Sequence, residues 1–138
     1  MAARVSGASM PESPFRSWNG REPFEFVDGV FLHAIGGDQV LLCRVQYEPG
    51  KQVPRHAHEH TEQLMAVLDG SVTMTIADET RELGPGDVVC VNRGVEHELH
   101  SADGVTFFEA LAPVPLDHVP DHEADLMLAE GGSGHVAR

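Results

Sequence analysis

Apolar residues recur along this chain in short runs, each closed by turn-forming residues. Residues 30–35 form one run, ended by Gly36-Gly37-Asp38. Residues 40–47 form another, ended by Pro49-Gly50. Residues 63–68 follow, ended by Asp69-Gly70. Val72-Thr-Met-Thr-Ile76 alternates apolar and polar positions, the period of a strand with one buried face. Residues 77–80 read as a hairpin turn and Gly84-Pro-Gly-Asp87 as a strong breaker. Residues 88–91 and 105–111 supply two more strands. No window keeps a helical period over three turns, although residues 122–130 have the pattern of one short helix. Many short strands with Gly/Pro turns predict an all-β sandwich or barrel.

Composition agrees with a single domain. The chain has 138 residues, 41% of them apolar, enough for a core without disulfides or structural metals. Residues 1–23, rich in Ser, Pro, Gly and Arg, predict a flexible arm, pinned by Trp18 or Phe15. The barrel is expected over residues 24–116, and residues 117–138 read as an acidic, weakly structured tail. Cys43 and Cys90 both lie in apolar runs and are expected as reduced core thiols. The N-terminus lacks an apolar signal-type run, and no stretch approaches 18 apolar residues, so a soluble, cytoplasmic protein is expected.

Charge narrows the partners. With 22 acids against 9 Lys plus Arg, the formal net charge is −13. Such a surface repels phosphate backbones and acidic lipid, so no nucleic acid and no membrane are expected as partners. A small-molecule substrate fits better. The barrel's edge strands also predict a homodimer, with residues 24–26 as a segment for exchange.

The candidate chemistry is concentrated in histidines. His56 and His58 are two apart in a β-type segment, so strand alternation places them on one face. His97 follows the Gly94 turn. Three imidazoles plus an amide or carboxylate make a first-row metal site. The spacing Gly50-x5-His56-x-His58-x4-Gln63-x6-Gly70 resembles the first cupin motif. Gly86-x5-Asn92-x-Gly94-x2-His97-x3-Ser101 resembles the second.

The resemblance covers about residues 40–111. It implies a single jelly-roll β-barrel holding one divalent transition metal (Zn, Fe, Ni, Co or Mn) through His56, His58, Gln63 and His97. Three positions depart from the family pattern. Asn92 replaces the usual Pro, Ser101 replaces a frequent Asn, and Gln63 stands where Glu is usual. Glu62 competes with Gln63, and the six-residue interval to Gly70 favours Gln63.

Other residues have weaker claims. Glu109 shares a strand face with Phe107 and Leu111. It points either to solvent or into the barrel, where burial would make it a general acid/base. Arg44, mid-strand, is a candidate for binding an anionic substrate. His60 continues the His-x-His pattern and is a candidate fifth ligand or, better, a turn residue; His100 is a supporting or surface residue, and His118, His122 and His135 are read as surface residues of the tail. No nucleophile elbow or phosphate loop is present.

Three functions follow from the resemblance. A neutral ligand set suits non-redox Lewis-acid and proton-transfer chemistry on an enolisable carbonyl substrate. This is similar to small cupins that cyclise polyketides or ketonise unsaturated uronates. An Fe-dependent dioxygenase of the quercetinase type is the second, and a non-catalytic binding or sensing module the third.

Overall fold

A computed structural model describes residues 14–115. The expected helix over 122–130, the tail histidines, the whole acidic tail and residues 1–13 of the expected arm lie outside these residues. Among the described residues every regular element is a strand: β1 (Phe24–Val27), β2 (Val30–Gly36), β3 (Leu41–Tyr47), β4 (Lys51–His56), β5 (Glu62–Gly70), β6 (Val72–Ile76), β7 (Glu79–Leu83), β8 (Val88–Val91), β9 (His97–Ser101) and β10 (Val105–Ala112). No described helix is long and apolar enough to cross a membrane.

The strands form two antiparallel sheets of a jelly-roll barrel. One has the order β1-β2-β3-β10-β5-β8, the other β4-β9-β6-β7. Alternation along each strand decides what faces inward. On β3, Leu41, Cys43, Val45 and Tyr47 are buried. On β10, Val105, Phe107, Glu109 and Leu111 are buried. Direct pairing of Phe107 with Val45 and Val67, and of Glu109 with Cys43 and Met65, carries one inward row across the large sheet. Val53, Leu99, Val72 and Met74 meet it from the small sheet.

Several details differ from the sequence expectation. The β6–β7 turn is only Ala77 and Asp78, because Ile76 already pairs with Glu79 and Ala77 takes the left-handed φ of 56° that a two-residue hairpin needs. Cys43 is buried, but Cys90 is exposed. Cys90 lies on the outer strand β8 opposite Leu64, on the solvent side of the sheet. Its thiol donates to the Glu62 carboxylate at 3.6 Å. Residues 24–26 pair with β2 of the same chain and bury Phe24 and Phe26 in its own core. Trp18 packs against His33 and Phe108 on the outer face, whereas Phe15 is exposed.

Candidate metal centre

The site is built where the two sheets meet at one end of the barrel. Pro54 cannot donate to the β-ladder. The β4–β9 register slips between Val53 and His56, and the strand ends at His56, paired with His97. His58 therefore belongs to the following loop rather than to the strand, so alternation is not what aims it. The Gly94 amide donates to the His58 carbonyl at 2.8 Å and holds that loop against the turn before β9. Gly94 adopts φ +76°, a conformation that costs glycine little. On the outside, Arg55 donates to Glu96 at 2.9 Å and to the Ala77 carbonyl at 2.8 Å, tying the end of β4 to the start of β9. Thr61 donates to the Pro113 carbonyl at 2.9 Å and anchors the far end of the loop.

These ties gather three imidazoles. The rings of His56 and His97 are 4.2 Å apart, His56 and His58 5.1 Å, and His58 and His97 5.5 Å. One ring nitrogen from each lies within 4.8 Å of the others. Nδ1 of His56 is 2.7 Å from the Pro54 carbonyl, and Nδ1 of His97 is 3.0 Å from the Val95 carbonyl. A carbonyl only accepts, so both Nδ1 atoms carry the proton. The lone pair of each ring is left at Nε2, the tautomer a metal ligand needs.

Gln63 and Glu109 complete the wall. Both are buried, on neighbouring strands of the large sheet. Gln63 Nε2 donates to Glu109 Oε1 at 2.7 Å. That bond fixes which end of the amide is which and leaves Gln63 Oε1 buried without a hydrogen-bond partner. A buried carbonyl-type oxygen without a donor is costly, and a cation beside it would remove the cost. The donor set of three imidazoles and one amide oxygen therefore fits a divalent first-row metal. Glu62, the competing residue, is exposed on the opposite face of β5.

Burial pushes the Glu109 carboxyl up to about 7, and nearby His58 and the hydrogen bond from Gln63 offset part of the rise. Burial, and then Glu109, likewise raise Cys43 and Tyr47 well above their ordinary values.

His56, His58, Gln63 and Glu109 line one cavity, which has about 30 Å³ of room for solvent, roughly one water. Its other walls are apolar and aromatic, including Phe26, Tyr47 and Phe107. Sequence reasoning missed Tyr47 as a wall residue. The signal was its even spacing from Cys43 and Val45. Arg44 faces outward, beside His33 and Phe108, because its neighbours Cys43 and Val45 face in. It does not line the cavity. His60 and His100 are exposed and stand apart from the histidine cluster.

Known proteins share this architecture. Residues 43–109 match the family model of the cupin domain. A cupin from Shewanella frigidimarina described as RmlC-like superposes with a TM-score of 0.72 at 18% identity, covering 78% of this chain and 96% of its own. KdgF from Halomonas sp. gives 0.65 at 18% identity, covering 68% and 87%. A predicted oxalate decarboxylase from Thermotoga maritima gives 0.59 at 18% identity, covering 67% and 91%. At these identities the likeness is one of fold. No curated protein sequence matches the chain.

Proposed function

The chain belongs to the cupin superfamily, and on that premise we propose that it is a metal-dependent enzyme that moves a proton next to the carbonyl group of a small substrate. The observation that carries this reading is the Glu109 carboxyl: buried, bonded to Gln63, and in one cavity with His56 and His58. Held by His56, His58, His97 and Gln63, a divalent ion would supply Lewis acidity toward a carbonyl oxygen.

The remaining work belongs to the chain's own side chains. A carboxyl that titrates at about 7 is present in both forms at neutral pH. It can take a proton from carbon and return it elsewhere, as cyclisation, isomerisation and dehydration of an enolisable carbonyl all require. The apolar walls limit water near Glu109, and with room for about one water between them they would have to part to admit a substrate. Gln63 keeps that carboxyl in place through its amide N–H.

Two measurements test the proposal. Metal analysis is expected to find one ion per chain, lost in His97→Ala. Deuterium uptake at the α-carbon of small carbonyl compounds in D2O is expected to fall about 100-fold or more in Glu109→Gln, which keeps its ion. Uptake that does not depend on Glu109 overturns the role of that residue. Turnover that consumes O2 and requires Fe(II) replaces the proposal with a dioxygenase. Ligand binding without any turnover replaces it with a binding module.

A further inference from the structure

We infer that the outer face of the large sheet is a docking surface for the chain's own acidic segment 121–129, with Leu126, Met127 and Leu128 as its apolar anchors. The strand register draws the surface. Ile35, Leu42, Ala110, Leu64 and Cys90 stand side by side across β2, β3, β10, β5 and β8, on the solvent side. The next row, in the same strand order, is His33, Arg44, Phe108, Ala66 and Val88. Trp18 packs against His33 and Phe108. Leu42, Leu64 and Val88 stay open, with exposures of 42%, 48% and 65%. Large apolar side chains exposed together on one sheet face mark a contact surface. Charge singles out the same face. The chain carries 22 acids, yet these two rows hold none, and Glu62 and Asp69 only flank them from either side. Their one permanent charge is Arg44, whose Nε is buried without a hydrogen-bond partner among the described residues. A carboxylate lying along the face would supply the acceptor. The segment carries both halves of the match, since Asp121, Glu123 and Asp125 precede the three apolar anchors.

The path of the chain puts the segment within reach. β10 ends at Ala112, which faces outward like Phe108 and Ala110. The bond from Thr61 to the Pro113 carbonyl holds the exit beside the start of β5. The chain therefore leaves the sheet about 7 Å from the first row. From Pro115 to Leu126 it can span up to about 36 Å, whereas a row across these strands is about 19 Å wide. A segment tethered this closely has an effective concentration on the order of millimolar. A second copy, free in solution and carrying the same formal charge of −13, meets repulsion instead.

Cys90 is a built-in reporter, because it stands in the first row while Cys43 is buried inside the barrel. Its reaction with the neutral reagent 4,4′-dithiodipyridine is followed in the full chain and in a full-length variant carrying Leu126→Ser, Met127→Ser and Leu128→Ser. The variant is expected to react about ten-fold faster at Cys90, the gain from uncovering a face that is shielded about nine-tenths of the time. In the unsubstituted chain, nuclear Overhauser contacts are expected from the Met127 methyl group to Leu42 or Leu64, unchanged when the protein is diluted. Equal Cys90 rates overturn the inference, and so does the absence of those contacts. Contacts that fade on dilution, or that arise only between differently labelled chains, assign the face to a second copy and overturn it too. A variant whose Cys43 reacts as fast as its Cys90 has unfolded, and the contacts in the unsubstituted chain then decide alone.

Discussion

Glu62 and Gln63 are neighbours on β5 with opposite surroundings, and a single residue of register separates them. Glu62 is exposed and accepts from Cys90, whereas Gln63 is buried against Glu109. Gln63→Ala is therefore expected to weaken metal binding ten-fold or more, and Glu62→Ala to leave it within about two-fold. Competition with a chelator checks this, and the reverse order would move the fourth ligand to Glu62. Glu109 makes a second prediction at this scale. Below about pH 4.5 the folded and unfolded chains both hold its proton. Between 4.5 and about 7 the unfolded chain releases it while the folded chain keeps it. The contribution to stability is thus fully present below 4.5 and gone once the pH passes about 7. It amounts to roughly 3 kcal/mol. Urea midpoints of the metal-free protein should fall across that window, and those of Glu109→Gln should lack this component. The three clustered histidines were legible in the sequence through the spacing they share with the cupin motifs. The direction of Glu109 and Arg44 was not, because parity on a strand shows itself only once the neighbouring strands are known.

Turns and polar strands divide the elements into those that hydrophobicity reveals and those it hides. The runs at β2, β3, β5, β6 and β10 stood out because each buries an apolar row, and β8 stood out by composition although only Val91 of its four residues is buried. β7 (Glu79–Leu83) did not, since only Leu83 among its five residues is buried and its hydrogen bonds to β6 hold it in place. β9 hid for a different reason: its inward residues are His97, Leu99 and Ser101, and two of those are polar. Ser101 has full partners, donating to the Ser71 carbonyl at 2.7 Å and accepting from the Gly104 amide at 2.9 Å. Two glycines of the first motif separate backbone strain from steric conflict. Gly50 has φ +83° with open space where a methyl group would stand, whereas at Gly70, φ +79°, a Cβ would lie 2.2 Å from the Gly104 carbonyl oxygen. Gly50→Ala is expected to cost about 1 kcal/mol and Gly70→Ala about 3 kcal/mol or more. Denaturant unfolding compares them, and equal costs would show that the β5–β6 corner can shift to make room.

For the molecule as a whole, the pairings that close the barrel join distant parts of the chain. Leu41 lies opposite Leu111, and His56 opposite His97. No local pattern announces such pairs, so the strand order could be anticipated from the family motifs but not from periodicity. Net charge acts at the same scale. A formal −13 attracts divalent cations, so the rate of metal uptake is expected to fall as ionic strength rises from about 10 mM to about 150 mM, where the Debye length shortens to about 8 Å. Stopped-flow absorbance with Co(II) reads this directly. A rate indifferent to salt would mean that the acids lie too far from the entrance to matter.

The carbonyls of Pro54 and Val95 have one more consequence. Each lies two residues before the histidine it holds, so both rings take their bearing from the backbone beside them. Loading then requires little rearrangement, and stabilisation follows the concentration and affinity of whichever ion is at hand. On the function proposed above, one polypeptide would exist as several metalloforms, and the history of a preparation, as much as its sequence, would decide which form is assayed.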